Sequence, residues 1–143
     1  MENILRQRIH HLSDEKRVIL IQRLSGILQD RNEAVFTYLF GSFVEGLPFH
    51  DIDIGVYVSN IKEGESTLYS LDLAHILSKK IQFPVDVRVL NFAPVTFLYH
   101  VIRGKLILDK NEEFRLGLVE RTIAKYLDLK PIARTGIREA FGR

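Results

Sequence analysis

Two aspartates, Asp51 and Asp53, stand two residues apart in the apolar run Asp51-Ile52-Asp53-Ile54-Gly55-Val56, just downstream of a Gly41-Ser42 pair. Successive strand side chains point to opposite faces, so both carboxylates share one face, with Cα atoms roughly 6–7 Å apart at ~3.3 Å per residue. Carboxylate oxygens are hard ligands that suit Mg²⁺, and Mg²⁺ in enzymes usually accompanies substrate phosphates. A Gly-Ser turn offers such phosphates backbone N–H groups and a hydroxyl. The pattern predicts phosphoryl or nucleotidyl transfer.

Asp86 is a third candidate, set between Val85 and Val87 in another apolar run. A charge there costs free energy unless it is exposed or paired. If the strand carrying it lies beside the one carrying Asp53, the three carboxylates share a face. Their mutual repulsion would then be relieved by two Mg²⁺ ions about 4 Å apart, which stabilise attacking and leaving oxygens. A plainer reading stands beside each part: Asp-x-Asp as the solvent face of an amphipathic strand, Gly-Ser as an ordinary strand end, and Asp86 paired with Arg88. Only the combination points to a site.

The elements that must position these residues follow from periodicity. Ser13 caps a helix over about 14–30 whose apolar face is Val18, Ile21, Leu24 and Leu28. Strands are predicted over 34–40, 51–58, 85–90 and 105–109, from β-branched and aromatic runs. A second helix precedes Pro84 and carries Leu68, Leu71, Ala74, Leu77 and Ile81 on one face. Pro94 and Gly104 bracket a short helix, and a last helix spans 111–127. The predicted order, α-β-β-α-β-α-β-α, describes an α/β (α+β) sandwich around one mixed sheet of about four strands.

A length of 143 residues fits one domain over 1–143: a helical part to 31, a sheet core over 34–109, and a C-terminal helix and tail over 111–143. The chain is 46% apolar and 27% charged, as expected for a soluble globular protein. It has no cysteine, which excludes disulfides and a thiol nucleophile and is compatible with a reducing cytoplasm. There is no apolar signal core and no run approaching the ~20 residues that span a bilayer. A net charge of +2 is well short of a basic stripe for direct nucleic-acid binding.

The combination of Gly41-Ser42, a loop, Asp51-x-Asp53 and a later Asp86 resembles the minimal nucleotidyltransferases of the polymerase-β-like superfamily. Val85-Asp86-Val87-Arg88-Val89-Leu90-Asn91 with Ala93-Pro94, then Arg103-Gly104-Lys105-Leu106-Ile107-Leu108 and Tyr126 to Pro131, are similar to the MntA-type antitoxins of that group. The resemblance implies a polymerase-β-like fold and transfer of AMP from ATP to a hydroxyl. Asp51, Asp53 and Asp86 would be catalytic and would hold Mg²⁺, as two ions, while Gly41 and Ser42 would hold the ATP phosphates. It further implies a tyrosine of a HEPN-family RNase toxin as acceptor, silenced by the AMP within a hetero-oligomer. The chain departs from the family pattern in a shorter loop, residues 43–50, and in Glu45 and His50, where members commonly carry a basic residue and a serine.

Other residues read both ways. Lys79-Lys80 and Arg103 with Lys105 either attract ATP or an acidic partner or form a solvated face. His50 either touches a phosphate or is a plain loop residue, and His100 belongs to packing or surface. Phe92, Phe97, Tyr99 and Phe114 are expected in the core, with an exposed partner patch as the alternative for part of the group, and the basic tail of Arg134, Arg138 and Arg143 either docks on a partner or is mobile. The competing functions are a transferase with a small-molecule acceptor and a non-catalytic antitoxin that acts by occlusion.

Overall fold

The computed structural model describes residues 8–128. Helix α1 (Asp14–Gln29) starts where the sequence places a cap, with the Ser13 hydroxyl accepting the Lys16 N–H at 3.3 Å. Strand β1 (Ala34–Phe40) and strand β2 (Ile52–Val58) follow, joined by the loop that holds Gly41 and Ser42. A short 3₁₀ turn (Glu63–Glu65) leads into α2 (Ser66–Ile81), which Gln82 ends in a left-handed conformation at φ 65°. Strand β3 (Val85–Val89), helix α3 (Val95–Ile102), strand β4 (Lys105–Asp109) and helix α4 (Glu112–Asp128) complete the described chain.

The strands form one mixed sheet in the order β3-β2-β1-β4. β1 pairs antiparallel with β2 and β4, while β2 and β3 are parallel. Parallel neighbours need a long crossover, which α2 supplies. Helices cover both faces. Ile52, Ile54, Val56 and Val58 of β2, with Val85 and Val87 of β3, bury against Leu24 and Leu28 of α1 and Leu73 and Leu77 of α2. Phe36, Tyr38 and Phe40 of β1 point to the other face and pack with Leu98 and Val101 of α3.

Two helical faces differ from the expectation. On α1 the buried row is Leu20, Leu24 and Leu28, and Val18 is 52% exposed. On α2 the buried row is Leu73, Leu77 and Ile81, with Tyr69 half-buried, and Leu68 and Leu71 lie in solvent. The i, i+4 row wins in both helices because it is the straighter ridge against a sheet, and a wider apolar reading of the same leucines picks up off-row residues. The expected aromatic core cluster is also corrected. Phe92 and Phe114 are exposed, Phe97 packs edge-on to Phe40, and Tyr99 stacks on Tyr126 with ring centroids 3.7 Å apart. These rings sit on and beside α3 and α4, whose outer faces no further layer covers among the described residues. Leu129 to Pro131 and the basic residues Arg134, Arg138 and Arg143 lie outside the described residues.

Candidate active site

The site is built where β1 ends. Gly41 follows Phe40 at φ +84°, a left-handed conformation that favours glycine. Its open side faces Asp53: a Cβ placed there would stand 2.5 Å from Asp53 Oδ2. Glycine is therefore required twice at this position, once by the backbone and once by the carboxylate.

After Gly41 the chain makes a tight helical turn. The Glu45 N–H donates to the Gly41 carbonyl at 3.3 Å and the Leu47 N–H to the Ser42 carbonyl at 3.0 Å. This bonding leaves the N–H groups of Ser42, Phe43 and Val44 without a backbone acceptor among the described residues. Successive unpaired N–H groups at the start of a helical turn form an anion-binding concavity. The short loop is anchored from behind: Phe43 and Phe49 are buried against each other, and Phe49 exchanges backbone hydrogen bonds with His10 at 2.8 and 3.1 Å. His50 is exposed, with Nδ1 3.0 Å from the Arg8 carbonyl oxygen, which turns it toward the N-terminal segment.

The three aspartates occupy neighbouring positions. Asp53 lies in β2, opposite Phe40 of β1 on one side and opposite Asp86 of β3 on the other. It alternates with the buried Ile52 and Ile54, so its side chain belongs to the face that carries Gly55 and Tyr57. Asp86, between the buried Val85 and Val87, shares that face. Asp51 is not in the strand. β2 begins at Ile52, whose N–H donates to the Pro84 carbonyl at 2.9 Å, and Asp51 occupies the bend that leads in. The tether to His10 holds the loop in a turn up to that point.

Backbone register, rather than side-chain convergence, brings Asp53 and Asp86 together, and Asp51 lies outside that register. Among the described residues no three acidic or imidazole side chains already form a metal cage. Asp86 turns Oδ2 toward Arg88 Nε at 3.4 Å, the pairing that the sequence left open. That contact is long, and the Arg88 side chain is 61% exposed, so it is a weak restraint on Asp86. Carboxylates are hard donors of the kind a divalent cation takes, but as placed the three aspartates do not form a group that could hold one.

Beside the turn, a cleft of about 440 Å³ runs between Gly41, Val44 and Glu45 on one wall and His100, Arg103 and Lys105 on the other. Arg103 and Lys105 were noted in the sequence as a basic pair, but only the β1–β4 pairing, which sets Lys105 opposite Leu39, brings them next to Gly41. A larger depression of about 600 Å³ lies between α1 and α2, lined by Arg23, Asp30, Arg31 and Lys80 and by none of Asp51, Asp53 and Asp86. Its size does not locate the chemistry. Lys79 and Lys80 belong to that remote side, in the last turn of α2. No described helix is long and apolar enough to cross a membrane.

Comparison with known proteins agrees with this geometry. Residues 22–113 match the family model described as polymerase beta, nucleotidyltransferase. Comparison with curated protein sequences gives no match. Among solved structures, the chain resembles one of a tri-AMPylated Shewanella oneidensis HEPN toxin in complex with MNT antitoxin, at TM-score 0.64 and 21% identity over 87% of this chain and 98% of that one. It resembles the toxin–antitoxin pair MntA-HepT at TM-score 0.63 and 20% identity, over 85% of this chain and 97% of that one. A toxin–antitoxin structure with AMP-PNP matches at TM-score 0.61 and 21% identity, over 90% and 98%.

Proposed function

The chain belongs to the polymerase beta nucleotidyltransferase family, and from that premise we propose that it transfers AMP from ATP to a tyrosine hydroxyl of a HEPN-type toxin and so serves as its antitoxin. The observation that carries the reading is the in-register pair Asp53 and Asp86 beside the Gly41 turn, whose N–H groups have no backbone acceptor among the described residues. The structures it resembles supply the acceptor class, since one contains an AMPylated HEPN toxin and another AMP-PNP.

In this reading Asp51, Asp53 and Asp86 would hold Mg²⁺, which would supply charge neutralisation to the reacting phosphates. Ser42 Oγ and the turn's N–H groups hold the phosphates beyond the reacting one, and Gly41 lets the backbone approach them. The acceptor oxygen attacks the α-phosphorus and gives its proton to Asp86. The bond from the α-phosphorus to the bridging oxygen breaks, and pyrophosphate leaves with the electron pair. A non-catalytic antitoxin that works by occlusion is the competing reading, favoured by the Asp86–Arg88 contact.

The test is incubation of the chain with its genomic neighbour, Mg²⁺ and ATP labelled at the α-phosphate, followed by mapping of the label. Label on a tyrosine of the neighbour supports transfer. A stable complex that carries no label supports occlusion and overturns the proposal.

A further inference from the structure

Resting on the transferase reading above, we propose that the groove between the start of α2 and the outer edge of β3 seats the segment of the partner protein that carries the acceptor hydroxyl. That segment sets an apolar side chain against Leu68 and Leu71 and an acidic one against Arg88.

The direction of transfer selects this side of the sheet. Gly41 at the end of β1, Asp53 in β2 and Asp86 in β3 stand in that order across the sheet. Attacking and leaving oxygens lie roughly in line through the reacting phosphorus. With pyrophosphate leaving toward the Gly41 turn and the phosphorus at Asp53, the hydroxyl arrives from beyond Asp86. β3 is an edge strand, so no further strand blocks that approach.

A groove of about 300 Å³ lies there, with Thr67, Ser70 and Leu71 of α2 on one wall and Asp86, Arg88 and Val89 of β3 on the other. Asp86 therefore belongs to the groove as well as to the pair with Asp53. The groove is not a berth for a fifth strand. Ser78 Oγ accepts the Val85 N–H at 2.9 Å, and Val87 is 3% exposed, so α2 already covers the backbone edge. An occupant docks there through its side chains.

The apolar anchor is on α2. Leu68 and Leu71 are 67% and 65% exposed, more than any other large apolar side chain of the described residues. A single leucine in solvent is ordinary, but these two are i, i+3 neighbours at the rim of a groove that opens at a reacting carboxylate.

Arg88 supplies the charge. Its side chain is 61% exposed, and among the described residues its ion-pair partner is Asp86, at 3.4 Å from Nε to Oδ2. The same Asp86 oxygen cannot serve both Arg88 and the reacting hydroxyl. A carboxylate on the arriving segment takes over Arg88 and leaves Asp86 to the hydroxyl proton. Docking and transfer are coupled by this exchange.

The probe is the purified protein of the neighbouring gene, with Mg²⁺ and ATP labelled at the α-phosphate. L68D and L71D should each raise KM for that protein about tenfold, with ATP affinity and unfolding temperature unchanged. R88E should raise the same KM, and R88K should keep it near wild type. A photo-crosslinking side chain in place of Leu71 should capture the stretch of the partner that carries the label. Wild-type KM in both leucine variants overturns the inference, as does crosslinking only to a stretch remote from the label. A fall in kcat alone for R88E removes Arg88 from recognition and assigns it to positioning Asp86. A dimer of the isolated chain that L71D dissociates gives the leucines to a second copy instead, which also overturns the inference. A wild-type chain that leaves the partner unlabelled overturns the transferase reading, and crosslinking at position 71 reads the docking independently of it.

Discussion

Asp53 of β2 and Asp86 of β3 are direct neighbours across a parallel strand pair, on the face opposite the one that buries Ile52, Ile54, Val85 and Val87. Two carboxylates side by side gain from a cation between them. Asp86→Asn should remove one donor and the proton acceptor together. The expected result is a loss of transfer of at least about a hundredfold, read from labelled AMP, with an unchanged unfolding temperature. Transfer at the wild-type rate would remove Asp86 from the mechanism.

Gly41→Ala should damage stability and activity at once. The left-handed backbone alone costs roughly 1–2 kcal/mol for an L-residue, and the new methyl would displace the Asp53 carboxylate. Chemical denaturation should show the destabilisation, and ATP binding should fall with it. Gly64→Ala, where a Cβ meets nothing within 4 Å, is the matched control and should change neither.

Thr37 is buried in the middle of β1 with an Oγ1 that finds no hydrogen-bond partner. A buried hydroxyl without a partner is a net loss. Thr37→Val should therefore raise the unfolding free energy by about 1 kcal/mol and leave transfer unchanged. A drop in stability would mean that the hydroxyl has an acceptor after all.

Far from the site, Glu33 accepts hydrogen bonds from Tyr69 at 2.7 Å and Arg31 at 2.9 Å. Burial alone would raise its carboxyl, but these bonds outweigh it and hold its pKa below the ordinary value of 4.5, while burial and the same carboxylate push the Tyr69 hydroxyl up. The unfolded chain binds the Glu33 proton more readily than the folded one. The stabilisation is thus present above about pH 4.5 and is lost as pH falls through the lower folded value. Glu33→Gln should lower stability at pH 7 and flatten the acid branch of the stability curve. An acid branch identical to wild type would contradict the assignment.

How far the sequence carried these conclusions depended on the kind of signal. Strand positions were legible because β-branched and aromatic runs such as Ala34–Phe40 and Val85–Val89 have few alternatives, and the cap at Ser13 has a local mechanism. The proximity of Asp86 to Asp53 was conditional on strand neighbours, which sequence spacing does not determine and the register does. Leu68 and Leu71 were misplaced because an apolar count cannot tell a buried row from an amphipathic surface turn that no other element covers. Arg103 and Lys105 were legible as cations that could attract ATP or an acidic partner, but not their place: only the pairing of β4 with β1 sets them at the Gly41 turn.

The central claim is that the carboxylates transfer AMP to the partner. Wild type and Asp53→Ala should be compared with α-labelled ATP, Mg²⁺ and the proposed HEPN-type partner, with complex formation and unfolding temperature measured on the same samples. The account predicts labelled partner with wild type, none with Asp53→Ala, and an equal complex in both. Full labelling by a folded Asp53→Ala chain would contradict it.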